Sequence, residues 1–474
     1  MFKTIIPVFF MVLMALGCSG KSVMADNDID TLKSEVAIWL TDPDAAILFK
    51  EQGIRPVFSN ATNNYPSIEV NEQETFQTID GFGYTLTGGS ATHLHNMSAV
   101  NRAQILNELF ATDGNNIGVS YLRVSIGASD LDDRVFSYDD LPPGQTDEQM
   151  TQFSIAPDME HLIPVLKEIL AINPGIKILG SPWSPPVWMK TNQNSKGGSL
   201  KPEYYDAYAR YFVKYIEAMK AEGIVIDAVT VQNEPLHPGN NPSLLMPAEQ
   251  QADFIKQSLG PAFEAANINT KIIVYDHNAD RPDYPIAVYN NTNAAKYVDG
   301  AAFHLYAGDI SALSQVHMAY PDKNLYFTEQ WIGAPGSLKS DIGWHIKNVI
   351  IGAMRNWCRV ALEWNLAANS SLEPHTPGGC TQCLGALTID GNNVKRNPAY
   401  YVVAHAAKFV RPGSVRVASN ILPALPNAAF KTPDGKKVLI VLNESNILQN
   451  FNIKYNAKWV SYELEPGSAA TFVW

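Results

Sequence analysis

No long run of lysine and arginine occurs in this chain, and acidic residues outnumber basic ones, 47 to 35. Nucleic acid and an anionic membrane face are therefore poor partners. Charge is scarce altogether, 17% of 474 residues, too little for a charge-rich disordered chain. Four cysteines are too few for a disulfide scaffold, so the chain must rely on a buried core. It carries no internal repeat and no low-complexity tract. HExxH and a Walker lysine loop are absent, and Gly81-x-Gly83 lacks the third glycine of a dinucleotide turn. No metal, organic cofactor or protein partner is implied. What is plentiful is aromatic: 20 Tyr, 19 Phe and 9 Trp suit a large core and the stacking of flat ligands.

Residues 1–25 read as a leader. Lys3 precedes an apolar run, Ile5 to Leu16, of about a dozen residues, too short to span a bilayer but suited to a signal core. Ala15-Leu16-Gly17-Cys18 resembles a lipobox with its Leu displaced by one place, and Val23-Met24-Ala25 offers ordinary cleavage instead. Either reading exports the protein. The first anchors it by lipid at Cys18, as a lipoprotein of the outer membrane, periplasm or surface of a Gram-negative cell. In such a compartment Cys380 and Cys383, in a Pro/Gly loop, form a local disulfide or remain idle thiols, while Cys358 in an apolar stretch reads as core.

From Thr78 to Asn397, apolar strand-like runs alternate with amphipathic helical stretches such as Glu203 to Lys220. Strands that read continuously apolar, separated by helices, predict an α/β fold, a (β/α)8 barrel over residues 78–397. Residues 398–474 change to short strands with turn signals, such as Pro433-Asp-Gly. They predict a small antiparallel β-sandwich, to which residues 26–77 contribute strands.

Barrel chemistry sits at the C-terminal ends of strands. The run Ala228-Val-Thr-Val-Gln ends in Asn233-Glu234-Pro235, and Asn324-Leu-Tyr-Phe-Thr ends in Glu329. Each glutamate alone has an ordinary reading as half of a buried ion pair. At about 30–35 residues per strand–helix unit, their spacing of 95 residues places them on the fourth and seventh strands, facing across the barrel mouth. Two carboxyls flanking one site are what glycoside hydrolysis needs. Other strand ends carry Arg123, Asp130, Trp183, His304, Tyr306, Trp364 and Asn365. Singly, Arg123 is a carboxylate's partner, His304 a satisfied buried histidine and Trp364 core; clustered at strand ends, they suit a sugar.

The chain resembles glycoside hydrolase family 30, which includes acid β-glucosidase (glucosylceramidase). The likeness rests on Asp80-Gly-Phe-Gly83, Tyr121-Leu-Arg-Val124, Ser181-Pro-Trp-Ser-Pro-Pro186, Thr230-Val-Gln-Asn-Glu-Pro235, Phe303-His-Leu-Tyr306 and Glu363-Trp-Asn-Leu-Ala367. It implies a barrel with a side β-sandwich, Glu234 as acid/base, Glu329 as nucleophile and a retaining mechanism. In that mechanism ionised Glu329 raises the pKa of Glu234. Thr87-Gly88-Gly89 stands where many members carry an acidic residue, and Leu305 where glucosylceramidase has Trp. Gln330-Trp331, Asp276-His277-Asn278 and Arg281-Pro-Asp283 look more like the bacterial β-1,6-glucanase branch. A β-glucan is thus the expected substrate. The alternatives are an exo-acting β-glucosidase, glucosylceramidase or xylosidase of the same family, and a surface glycan-binding lipoprotein without catalysis.

Overall fold

The computed structural model describes residues 35–474. The leader, Cys18 and the alternative cleavage site lie outside the described residues. Among those described, no helix is long and apolar enough to cross a membrane.

Eight parallel strands close into a barrel in chain order. They are β1 (Gly81–Thr85), β2 (Tyr121–Ser125), β3 (Lys177–Ser181), β4 (Ala228–Thr230), β5 (Lys271–Asn278), β6 (Val298–His304), β7 (Asn324–Glu329) and β8 (Cys358–Asn365). Their residues are almost all buried because helices cover the outside and side chains fill the inside, which is why the strands read as unbroken apolar runs. Gly83 lets β1 and β2 approach: a Cβ there would stand 1.8 Å from the Tyr121 carbonyl oxygen.

Helix Pro398–Ala407 corrects the expected boundary at residue 397. It packs on β1 and β8 as the barrel's last helix, and the Tyr84 hydroxyl donates to its Ala399 carbonyl at 3.2 Å. The same helix is bound to the side domain through buried His405. The two ring nitrogens of His405 lie 2.8 Å from Thr41 Oγ1 and 2.9 Å from Thr471 Oγ1.

The side domain is a nine-stranded sheet folded around its own apolar core, with Ile38, Ile68, Leu439, Phe451 and Phe472 at its centre. Its order interleaves both ends of the chain: Ala37–Asp42 pairs with Ala469–Val473, and Ser67–Thr78 pairs with Val415–Ser419. One pairing departs from the antiparallel expectation, since Ser67–Glu69 runs parallel to Asn452–Lys454. The long strand Ser67–Thr78 thus reaches two parts of the sheet and then leads directly into β1.

Candidate active site

Inside the barrel, side chains point inward at alternate positions. A lower layer is apolar and includes Tyr121, Leu179, Ala228, Ala302 and Tyr326. Two residues further along the same strands stand Arg123, Ser181, Thr230, His304 and Thr328, all fully buried. The period of two therefore carries the wall from an apolar floor to a polar ring.

β5 breaks the period. Ile273 faces inward, so Tyr275 should follow it. A register shift between Tyr275 and His277, with left-handed backbone at Tyr275 (φ 73°) and Asp276 (φ 67°), turns Asp276 inward instead. Tyr275 packs outside against Tyr284 and Phe303. Such conformations cost on the order of 1–3 kcal/mol each and persist where surrounding contacts hold them.

Those contacts are the polar ring itself. Asp276 Oδ2 accepts from Arg123 at 2.8 Å, Ser181 at 2.7 Å and Thr230 at 2.8 Å. Its Oδ1 accepts from Thr328 at 2.6 Å and lies 3.1 Å from His304 Nε2. Burial alone would favour the protonated acid, but Arg123 and His304 hold Asp276 well below the usual carboxylate range. Asp276→Ala should strand Arg123 with one partner fewer and cost about 3–5 kcal/mol of stability. Chemical denaturation reads this; a loss under about 1 kcal/mol, within reach of an ordinary surface change, would mean the ring does not depend on Asp276.

Arg123 joins this ring to the reacting groups. It donates to Glu329 Oε2 at 2.5 Å and to Asn233 Oδ1 at 2.6 Å, and its guanidinium lies 4.8 Å from the Trp183 ring centroid. The Tyr306 hydroxyl donates to the other Glu329 oxygen at 2.9 Å. Glu329 is therefore fixed at both oxygens.

Glu234 is placed differently. It follows β4 with φ 45°, its N–H bonded to the Asp276 carbonyl at 3.0 Å. The nearest histidine nitrogens are His304 Nδ1 at 3.5 Å and His277 Nδ1 at 3.7 Å, beyond good hydrogen-bond range. The same His304 nitrogen stands 3.7 Å from Glu329, so one imidazole brackets both carboxyls. Glu329, Asp276 and Glu234 together raise His304 to about 9 against its burial.

Burial opposes charge on both glutamates. At Glu329 burial and the facing Glu234 win over His304 and Arg123, raising it; at Glu234 the two histidines win over burial, lowering it. These directions run opposite to the expectation from the sequence. The hydrogen bonds decide the assignment in the other sense. Arg123 is charged at every working pH and, with Tyr306, aims donors at Glu329, whereas the histidine nitrogens nearest Glu234 stand beyond good hydrogen-bond range. Two facing carboxyls titrate as one unit, and we place the anion on Glu329 and the shared proton on Glu234.

A cleft of about 160 Å³ opens between them, lined by Asp130, Trp183, Asn233, Glu234, Asn240, Tyr306, Glu329, Trp331, Trp364, Cys380 and Cys383. Of the residues expected from the sequence, Glu234, Glu329, Asp130, Trp183, Asn233, Tyr306 and Trp364 thus share one cavity. Arg123 and His304 stand behind it as positioning residues. Asn365 does not reach it: its side-chain amide oxygen Oδ1 lies 2.8 Å from Ser90 Oγ and 3.2 Å from Thr87 Oγ1, anchoring the helix Gly88–His95 rather than a sugar.

Trp183 and Trp364 are nearly closed to solvent and pack on each other at 5.5 Å, so they form a floor. Trp331, half-buried on the wall, is the freer stacking face. Asp130 accepts the Cys380 N–H at 3.1 Å and is pushed up to about 6 by burial and by Glu329. Cys380 and Cys383 are joined by a disulfide, and Cys358 is a buried free thiol. A side chain at Gly88 would meet Asp132 Oδ1 at 1.6 Å, so no acidic residue fits there.

The sequence reasoning missed Asp276, His277, Asn240 and Trp331 as site residues. The first two follow directly on Ile272-Ile-Val-Tyr275, a polar end to an apolar run, which is the signal that had located Glu234 and Glu329.

The model of the glycosyl hydrolase family 30 TIM-barrel domain matches residues 79–410, and that of the family's β-sandwich domain matches residues 413–472. The endo-1,6-β-D-glucanase of Aspergillus fumigatus is 34% identical over 412 residues, covering 81% of this chain and 82% of that protein. The lysosomal acid glucosylceramidase of Mus musculus is 29% identical over 420 residues, covering 84% and 81%. A solved endo-β1,6-glucanase superposes with a TM-score of 0.86 at 34% identity, covering 93% of this chain and 99% of that one.

Proposed function

The chain belongs to glycosyl hydrolase family 30 and is an O-glycosyl hydrolase, and from that premise we propose that it cleaves β-1,6 linkages within a glucan, with retention of configuration. The observation that carries the mechanism is the unequal setting of the two glutamates. Glu329 is clamped at both oxygens by Arg123 and Tyr306, which suits an oriented anionic nucleophile. Glu234 faces the same cleft without a close donor, free to hand a proton to the departing glycosidic oxygen.

In the first step Glu329 attacks the anomeric carbon while Glu234 protonates the leaving group. Forming the glycosyl ester removes the negative charge on Glu329. Glu234 then loses the repulsion that held its proton and becomes the base toward water. His304 stays bonded to Asp276 throughout and balances the charge that moves between the two carboxyls.

For the substrate, support comes from the relatives named endo-1,6-glucanases, which are more similar to this chain than the glucosylceramidase is. The cleft adds a second argument. At about 160 Å³ it is smaller than the roughly 300–1,000 Å³ of pockets that engulf a ligand. It suits one sugar ring held while the rest of a polymer lies across the open rim beside Tyr306 and Trp331.

Incubation with pustulan, a linear β-1,6-glucan, should release oligosaccharides of mixed length early in the reaction, seen by product sizing. Glucose as the sole early product would favour an exo-acting enzyme. No cleavage of pustulan beside ready cleavage of xylan or glucosylceramide would overturn the linkage.

A further inference from the structure

Beside the two glutamates, two histidine nitrogens take no part in any hydrogen bond among the described residues. His277 and His304 are both more than nine-tenths buried, and the Nδ1 atom of each is without a hydrogen-bond partner among the described residues. Both atoms are turned toward Glu234 Oε1, at 3.7 Å and 3.5 Å, and the three atoms lie within 4.8 Å of one another.

We propose that Glu234, His277 and His304 form a binding site for a borderline transition-metal ion, with zinc(II) as its best occupant, and that the ion inhibits the enzyme by occupying its acid/base.

Four observations support this. Zinc bonds of about 2.0–2.2 Å at tetrahedral angles place ligand atoms about 3.4 Å apart. The two contacts to Glu234, at 3.7 Å and 3.5 Å, are near that spacing, while the two histidine nitrogens, within 4.8 Å of each other, move closer when both bind one ion. Two imidazoles and one carboxylate suit zinc or copper and not calcium or magnesium, which take oxygen sets. His304 already has the outer support that ligating histidines carry: its Nε2 is bonded to the Asp276 carboxylate at 3.1 Å, so its Nδ1 faces the site and binds the ion by releasing its proton, as Glu234 does. Glu329 Oε1, 3.7 Å from the same nitrogen, or a water completes the coordination, and Asp276 and Glu329 keep the surroundings anionic.

An ion held there takes the Glu234 lone pair that must carry the proton and fills the space of the glycosidic oxygen. Inhibition is therefore competitive with substrate and reversed by a chelator. This site depends on where the three side chains stand, not on which glucan is cleaved.

The test is calorimetric titration of chelator-treated, untagged enzyme with zinc chloride. One equivalent should bind to the wild type, and cobalt(II) should give the intense visible bands of a tetrahedral N/O site. His277→Ala should weaken this binding by at least about tenfold, the lower end of what loss of even an outer-shell partner costs. Glu234→Gln, which keeps the side-chain volume, should do the same, so the result stands even if one variant folds poorly. Wild-type enzyme that takes up no zinc overturns the proposal. So does uptake that both variants leave unchanged, since the ion would then sit elsewhere, as at the His95–His161 contact on the barrel's flank.

Discussion

Glu329→Gly should lose nearly all turnover, by about 10⁴-fold or more, the scale seen when a nucleophile that acts within a unit is removed. The loss should be chemical and not structural, because Arg123 keeps its bonds to Asp276 at 2.8 Å and Asn233 at 2.6 Å. The glycine opens a space beside Arg123 and Tyr306 into which azide fits, an anion in place of the missing carboxylate. With an aryl β-glycoside bearing a good leaving group, azide should attack from the side the carboxylate occupied and give the α-glycosyl azide, measured as release of the aryl alcohol. Wild-type enzyme whose first product is the α-anomer, read by NMR during early hydrolysis, would sink the nucleophile role and the retaining mechanism together.

Glu234→Ala should behave in a way that separates the two steps. General acid–base assistance contributes roughly 10²–10⁴-fold, and natural glucan should lose about that much. An aryl glycoside with a good leaving group needs no proton in the first step, so its glycosylation should remain fast. The covalent intermediate should then accumulate, because no base activates water, and mass spectrometry should find it on Glu329. Added azide should relieve the block and give a β-glycosyl azide. Equal loss on good and poor leaving groups would place the acid elsewhere. The long contacts from His277 and His304 to Glu234 motivate this expectation, since they leave its carboxyl without a close donor among the described residues.

The barrel was legible because buried parallel strands have no polar face to show, and the strand ends were legible because an abrupt polar residue after such a run needs a partner. Glu234 and Glu329 stood out for that reason, and their spacing along the chain placed them opposite each other before any coordinates. Tyr306 and His304 were readable as one face of β6. Asn365 misled, because a polar strand end can also serve a neighbouring helix: Thr87 and Ser90, distant in sequence, hold its side-chain amide oxygen. The domain boundary misled in a similar way. Helix Pro398–Ala407 is almost wholly buried, between the barrel and the side sheet, and carries no exposed stripe to mark it as a barrel helix.

By itself the sequence determined the architecture and the family and pointed to the two glutamates proposed as the catalytic pair, since each of these is written in local pattern: apolar runs, their spacing, and short motifs at their ends. What only the tertiary structure decided is how the pair is differentiated. The bulge in β5 that turns Asp276 inward cannot be read from a period of two, which would have chosen Tyr275. The bond from Arg123 to Glu329 joins residues on strands that do not neighbour each other in the barrel, and it forms because the closed barrel aims both at one axis. Burial there removes water as an alternative partner, so every charge must find its counterpart across the barrel. The proposed placement of the proton on Glu234 rests on that pairing, and pairing across a closed barrel is a property of three dimensions.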